Sequence, residues 1–383
     1  MPKVDAVYMP GTQRYIGLMS GTSLDGVDGV LVEFSGSKCT LAGHQSAPIA
    51  PDLRVELGAL NQSGPDELHR AALAGNTIAL LYAQVVQALL EESGQAASAI
   101  QAIGAHGQTV RHRPQAFGGT GYTLQLNNPA LLAELTGITV VADFRSRDLA
   151  AGGQGAPLVP AFHQFWFAVP GQARAILNIG GMANLSVLGA NGSVSGFDCG
   201  PGNVLMDLWC QRHTGKAYDE NGAWAATGRV IPTLLTAMST EAFFALVPPK
   251  STGRDLFDAG WLDQHLSAAL SLPGFLPEDV QATLLELTAV TCAESLNFSG
   301  ESVALLALCG GGALNGKLRE RIAALLPQGA ALTTTDSLGL PVQQVEAAAF
   351  AWLARQTVLG LPGNLPKATG ARGTRVLGAV YRV

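Results

Sequence analysis

Positive charge is scarce in this sequence. Its 383 residues include 23 Lys and Arg against 29 Asp and Glu, for a formal net charge of −6, and only 14% are charged. No Lys/Arg cluster marks a face for nucleic acid or for an anionic membrane surface. A phosphate-bearing partner is therefore expected to be a small molecule held in a pocket. Cysteine is sparse too: Cys39, Cys199, Cys210, Cys292 and Cys309 are scattered, odd in number and without CxxC spacing. That argues against a structural zinc site and fits reduced thiols in the cytosol, read here as core residues and not nucleophiles. No apolar run reads as membrane-spanning, and the N-terminal MPKVDAVYMPGTQ has an acid and a proline where a signal peptide has an apolar core. What is abundant is apolar residues, at 48%, and glycine, at 46 residues. The chain is globular and long enough for two domains.

The stretch that organises the chain is Tyr15–Phe34, YIGLMSGTSLDGVDGVLVEF. Two apolar runs flank a polar turn, Ser20 to Gly26, and predict a β-hairpin. The turn holds three hydroxyls, two glycines and an acid, and Asp28 follows closely. Two readings are open. Ser, Thr, Asp and Gly are what turns use. The same residues let backbone approach a phosphate, donate to its oxygens and hold a metal through water.

Further along, apolar positions at helical spacing predict a helix over 66–92 with Gly94 as its C-cap. A short strand over 100–105 runs into His106-Gly107-Gln108-Thr109. Strands are expected at 122–126 and 138–142, separated by a helix that Asn128 caps and Pro129 opens. The Gly-rich connector Ala151–Pro157 marks the expected main domain boundary. The second half repeats the opening theme, with strands at 175–179 and 185–188 around the turn Gly180–Asn184. Val194–Phe197 then leads to Asp198-Cys199-Gly200-Pro201-Gly202-Asn203. Helices are expected at 204–214, 231–238, 279–296, 314–326 and 345–359, with a strand at 302–308. Helices alternating with short strands imply an α/β fold. The recurrence of strand, Gly turn and strand near residues 20 and 180 hints at duplication.

Four polar, Gly-rich turns sit at strand ends, where α/β sheets build sites: Ser20–Asp28, Ile179–Asn184, Phe197–Asn203 and Cys309–Asn315. None has the phosphate-loop spacing that ends in Gly-Lys-Ser/Thr, and the dinucleotide fingerprint near Gly310-Gly311-Gly312 is incomplete. Both standard nucleotide patterns therefore fail. Two hairpin loops clamping a triphosphate, with a Gly-rich turn for the adenosine, fit all four.

From Tyr15 to the C-terminus the chain resembles the anhydro-N-acetylmuramic acid kinase family, within the actin/hexokinase-like sugar kinase superfamily. The residues that carry the likeness are GLMSGTSLDGVD (17–28), IGAHGQTVRH (103–112), NPALLAELTGI (128–138), VADFRSRDLAAGGQGAPLVPAFH (141–163), LNIGGMANLS (177–186), GFDCGPGNVLMD (196–207), NGAWAATG (221–228), PKSTGRD (249–255) and CGGGALN (309–315). The resemblance implies two duplicated ribonuclease-H-like domains with an interdomain cleft. Domain one would comprise residues 1–150 plus about 365–383, and domain two residues 151–364, with hinge points near Ala151–Gly155 and before the C-terminal segment.

The activity implied is an ATP- and Mg²⁺-dependent kinase of peptidoglycan recycling. It opens the 1,6-anhydro ring of 1,6-anhydro-N-acetylmuramic acid with water and phosphorylates O6, giving N-acetylmuramic acid 6-phosphate and ADP. Asp198 matches the family's catalytic aspartate, and water attacking an anomeric carbon needs such a base. The resemblance assigns nucleotide binding to Ser20, Gly21, Thr22, Ser23, Leu24, Asp25, Gly26, Val27 and Asp28, to Asn178, Gly180 and Gly181, and to Gly310, Gly311 and Gly312. Asp25 would hold Mg²⁺ through water, with Asp28 as a second candidate. His106, Arg145 and Glu346 are the substrate candidates. Each has a plainer reading: a structural histidine, an ion pair of Arg145 or Arg147 with Asp143 or Asp148, and an acid at a helix N-terminus. Asp198 could likewise cap the helix that starts near Asn203. Lys250 and Arg254 are cations near a polyanion, or solvated loop charges. The family further implies a cytoplasmic homodimer. A non-enzymatic ATPase of the same superfamily is disfavoured, because no long charged insertion is present, and a kinase for another sugar is the closer competitor.

Overall fold

The computed structural model describes residues 11–21, 23–36, 38–114, 116–253, 256–269 and 275–383. Its strands, in chain order, are β1 (Gln13–Ser20), β2 (Gly26–Ser35), β3 (Lys38–Pro48), β4 (Ile100–Pro114), β5 (Gly121–Leu126), β6 (Val140–Ala142), β7 (Arg174–Ile179), β8 (Met182–Leu188), β9 (Val194–Pro201), β10 (Leu305–Cys309), β11 (Ala331–Thr334) and β12 (Ala379–Tyr381). The chain forms two compact units. Unit 1 runs up to Phe162 and resumes at Gln344–Val383, and unit 2 is His163–Gln343.

Each unit is built on one sheet, and the two sheets share a plan. In unit 1 the order is β12-β6-β4-β1-β2-β3, with β5 paired to β4. β1, β2 and β3 are antiparallel in turn, and β1, β4 and β6 are parallel. In unit 2 the order is β11-β10-β7-β8-β9. Again the first three strands are antiparallel and the next two parallel to the first. The order 3-2-1-4-5 with the same strand senses in both units is the duplicated ribonuclease-H-like arrangement that the family resemblance implied. The fold is α/β throughout.

β1 is buried along most of its length because helices cover both faces of its sheet. On one face Gly17 of β1 and Gly104 of β4 are paired neighbours. A Cβ at Gly17 would collide with the carbonyl oxygen of Ala347, and one at Gly104 with that of Phe350. Helix Val345–Val358 therefore lies backbone-close on the sheet, and its Ala-rich start makes the approach possible. On the other face Gly29 of β2 abuts Val85 and Leu89 of helix Glu67–Ser93. Alternation along paired strands puts the two helices on opposite faces. Helix Glu67–Ser93 is 27 residues long and apolar enough to cross a membrane by length and composition, contrary to the sequence expectation. Ile78, Tyr82, Val85 and Leu89 bury one face of it in the core of unit 1, which is how a core helix passes that test.

Predicted helix ends match where a cap is encoded. Gly94 closes helix Glu67–Ser93 at φ 61°, and Asn128 accepts from Leu131 N–H to open helix Pro129–Thr136, which Gly137 closes. The strand expected over 100–105 instead continues to Pro114, because β5 pairs with its second half across a bulge. The unit boundaries fall at 162/163 and 343/344, where the Gly-rich connector predicted 150/151 and the family resemblance implied about 364/365. Connector Ala151–Gly155 is bonded within unit 1: Arg372 N–H donates to Ala151 O at 2.9 Å and Gln154 N–H to Thr369 O at 2.7 Å. At the other boundary, helix Val345–Val358 buries its side against β1 and β4 and so belongs to unit 1.

Candidate active site

The polar turn of unit 1 connects β1 to β2. Ser20 is buried at the end of β1, and its Oγ donates to Oε1 of Gln108 on β4. Its hydroxyl is thus committed to the sheet, and Ser20 offers a ligand only its backbone. Val27 is fully buried, so its assignment is likewise limited to backbone. Thr22 lies outside the described residues. Leu24 takes φ 58°, and its N–H donates to Gly21 O at 3.3 Å. Asp25 is exposed. Its Oδ1 accepts from Ser23 Oγ at 2.7 Å and from Gly26 N–H at 3.0 Å, which holds the turn open toward solvent. Asp28 faces His44, with Nε2 to Oδ1 at 3.3 Å, and is a structural partner on the sheet surface. Among the described residues no three His, Cys, Asp or Glu side chains gather as a cation site. The turn offers Asp25 as a single exposed carboxylate, a hard oxygen donor of the kind Mg²⁺ takes.

His106 and Arg145 come together in unit 1. Arg145 donates from Nε at 3.1 Å and Nη2 at 2.9 Å to His106 Nε2, and from Nη1 to Gly155 O at 2.8 Å. His106 is buried and packs against Phe350, the rings tilted by 40° with centroids 4.6 Å apart. Burial first, then the Arg145 charge, hold the imidazole pKa well below its ordinary value. The expected ion pair of Arg145 with Asp143 or Asp148 is not what the fold makes. Asp148 is fully buried and accepts from Gly155 N–H, Asn364 Nδ2 and Thr369 Oγ1. Asp143 accepts from Ser146 N–H, and Arg147 is exposed. Glu346 is in the first turn of helix Val345–Val358, one turn before Phe350.

In unit 2 the turn Gly180-Gly181 is gripped by the start of helix Val204–Thr214. Gly202 N–H donates to Gly181 O at 2.9 Å, Asn203 N–H to Gly180 O at 2.8 Å, and Asn203 Nδ2 to Ile179 O at 3.3 Å. Gly310, at φ 78°, closes on the same strand end. A Cβ there would collide with Asn178 Oδ1, and one at Gly312 with Ile179. Asn178, Gly180, Gly181, Gly310 and Gly312 are thus one packed cradle. Asn178 is buried, with an Oδ1 that makes no hydrogen bond to protein.

Asp198 lies on β9 between buried Phe197 and Cys199. Its Oδ2 accepts from Thr252 N–H at 2.9 Å, and its own N–H donates to Lys250 O at 3.0 Å. It caps no helix: Asn203 is the residue at that position of helix Val204–Thr214. Lys250 is neither a ligand cation nor a solvated charge. Its Nζ is buried, donates to Phe243 O and Phe244 O, and lies 4.8 and 4.7 Å from the ring centres of Phe243 and Phe298. Burial lowers its pKa. The buried ammonium anchors the segment whose backbone brackets Asp198, while Arg254 is outside the described residues. The cysteines are structural: Cys292 is pushed well up by a hydrogen bond with Cys199 and by burial, and burial raises Cys39 to about 11. Sequence reasoning passed over Gln108, Thr252 and Asn203, although all three lie in quoted motifs. Their side-chain and backbone partners are 88, 54 and 24 residues away.

The family model described as anhydro-N-acetylmuramic acid kinase matches residues 13–383. An anhydro-N-acetylmuramic acid kinase of Variovorax paradoxus is 59% identical over 96% of this chain and 99% of its own, and one of Albidiferax ferrireducens is 57% identical over 96% and 98%. Among solved structures, the activator of the 2-hydroxyisocaproyl-CoA dehydratase from Clostridium difficile with bound ADPNP is 14% identical, over 88% of this chain and 93% of that one, at a TM-score of 0.45. With the family model matching 371 of its 383 residues and relatives at 57–59% identity over nearly their whole length, the chain belongs to the anhydro-N-acetylmuramic acid kinase family.

Proposed function

We propose that the protein opens the 1,6-anhydro ring of 1,6-anhydro-N-acetylmuramic acid with water and transfers the γ-phosphoryl group of ATP to O6, releasing N-acetylmuramic acid 6-phosphate and ADP. The observation that carries this reading is Asp198. It is a partly exposed carboxylate between two buried apolar residues, fixed in direction by Thr252 N–H. Asp198 takes a proton from the water that attacks the anomeric carbon. The C1–O6 bond breaks as the new C1–O bond forms, and the departing O6 is itself the nucleophile toward phosphorus. One base therefore serves both events.

The remaining work is charge stabilisation. Backbone N–H groups of the Ser20–Asp28 turn cradle phosphate oxygens. In unit 2, Asn178, Gly180 and Gly181 contact nucleotide phosphate, and Gly310-Gly311-Gly312 takes the adenosine. Mg²⁺, when bound, neutralises charge developing on the β- and γ-phosphates, and Asp25 holds it through water. Arg145 reads the lactyl carboxylate, since a guanidinium suits planar bidentate recognition. Glu346 and His106 line the sugar on the same side of unit 1. The place of such an enzyme is cytosolic recovery of cell-wall amino sugars, as a homodimer.

Incubation with ATP and the anhydro sugar tests the reading. The product must weigh the substrate plus one water plus one phosphoryl group, with one ADP formed per product. Phosphorylation without added water would rule out the coupled mechanism. Brisk turnover of a different sugar with none of this one would assign the protein another substrate.

A further inference from the structure

Asp148 has no part in the chemistry above, yet it is the one fully buried aspartate among the described residues. Its Oδ2 accepts from Gly155 N–H at 2.8 Å, and its Oδ1 from Asn364 Nδ2 at 2.6 Å and Thr369 Oγ1 at 2.8 Å. Among the described residues no cation forms an ion pair with it. A buried carboxylate held only by neutral donors is costly to keep, and it calls for a reason.

The reason lies one peptide away. The Gly155 whose N–H is held by Asp148 presents its carbonyl oxygen to Arg145 Nη1 at 2.8 Å. His106 Nε2 holds the same guanidinium from Nε and Nη2. The plane of Arg145 is thus fixed from two sides, by an imidazole and by a peptide that Asp148 sets. The loop that carries the peptide wraps the carboxylate closely. A Cβ at Gly153 would collide with Asp148, and Gly155, at φ 69°, has no room for one beside Leu149. Gly153 N–H adds a bond to Asp148 O at 2.9 Å.

We propose that Asp148 is a positioning residue for recognition of the substrate's carboxylate, acting on Arg145 through the Gly155 peptide. The inference rests on the reading of Arg145 as the contact to that carboxylate. In Asp148→Asn the side chain keeps its size but brings an NH₂ group against Gly155 N–H or Asn364 Nδ2. Two donors then face each other, and the Gly155 peptide turns away from Arg145.

The test compares two ligands by calorimetry: 1,6-anhydro-N-acetylmuramic acid and its lactyl carboxamide, which has the same shape without the charge. The dissociation constant of the carboxamide divided by that of the acid reports carboxylate recognition. Asp148→Asn is expected to lower this ratio about tenfold, the loss of one well-aimed charged hydrogen bond, with ATP affinity unchanged. Thr369→Val removes one of the donors that hold the carboxylate and is expected to lower the ratio roughly threefold in a milder background. Thr357→Val serves as control: its hydroxyl supports the same C-terminal segment at Leu353 O and Leu377 O, outside the Asp148 network, and must leave the ratio unchanged. If Arg145→Ala leaves the ratio unchanged, the reading of Arg145 falls and this inference with it. If Arg145→Ala collapses the ratio while Asp148→Asn and Thr369→Val keep it, the inference alone is overturned. Should Asp148→Asn fail to fold, Thr369→Val against Thr357→Val decides.

Discussion

Arg145 donates two hydrogen bonds to a single atom, Nε2 of His106, at 3.1 and 2.9 Å. Because a guanidinium only donates, Nε2 is an acceptor, and the ring carries its proton on Nδ1. This neutral tautomer agrees with a pKa held well below its ordinary value by burial and by the Arg145 charge. The expected result is a His106 ring that stays neutral from pH 8 to pH 5, read from its ¹⁵N chemical shifts. An imidazolium signal appearing in that range would contradict the assignment.

Asp198→Asn keeps the acceptor for Thr252 N–H but not the base. The variant should fold, bind ATP as before, and lose turnover by roughly a hundred- to ten-thousand-fold. Steady-state kinetics with calorimetric ATP binding separate the two effects. Near-normal turnover would remove Asp198 from the mechanism.

The glycines divide into two kinds that substitution tells apart. A Cβ at Gly104 meets the backbone of Phe350, which cannot move without lifting helix Val345–Val358 off the sheet. Gly104→Ala should therefore cost roughly 3 kcal/mol of stability. At Gly180 the nearest atom to a new Cβ is Met182 O at 3.6 Å, an ordinary contact. Gly180→Ala should keep its melting temperature and instead raise the KM for ATP. A Gly180→Ala protein with unchanged ATP kinetics would take that turn out of the nucleotide site.

Burial holds His163 down to about 3, with its Nδ1 2.8 Å from Ser186 Oγ, and burial with the Arg145 charge holds His112 at about 4. Both are neutral when folded and titrate near pH 6.5 when unfolded. Between those values the unfolded chain binds more protons, so stability is fully present above pH 6.5 and falls as the pH drops toward 3. The fully buried His163 alone should remove about 1.4 kcal/mol for each pH unit below 6.5. Urea unfolding at pH 7 and pH 4.5 measures this loss, and His163→Gln should reduce the slope. An unchanged slope would mean His163 is protonated in the folded protein.

Local chemistry wrote much of the molecule into the sequence. Asn128 and Gly94 ended helices where predicted, because capping needs only residues within one turn. The two hairpins were visible because alternating apolar runs around Gly turns are local patterns, and the quoted motifs were enough to name the family. Tertiary structure decided which side chains were already taken. Ser20 looked like a phosphate hydroxyl until Gln108, paired to it from another strand, claimed it. Arg145 looked like the partner of an adjacent acid, yet it bonds His106, 39 residues away, and the carbonyl of Gly155. Lys250 looked like a loop charge and is buried under two phenyl rings. A hydrogen bond is satisfied by whatever the fold brings within about 3 Å, and that neighbour is set by strand order and loop closure, which the order of residues along the chain does not reveal.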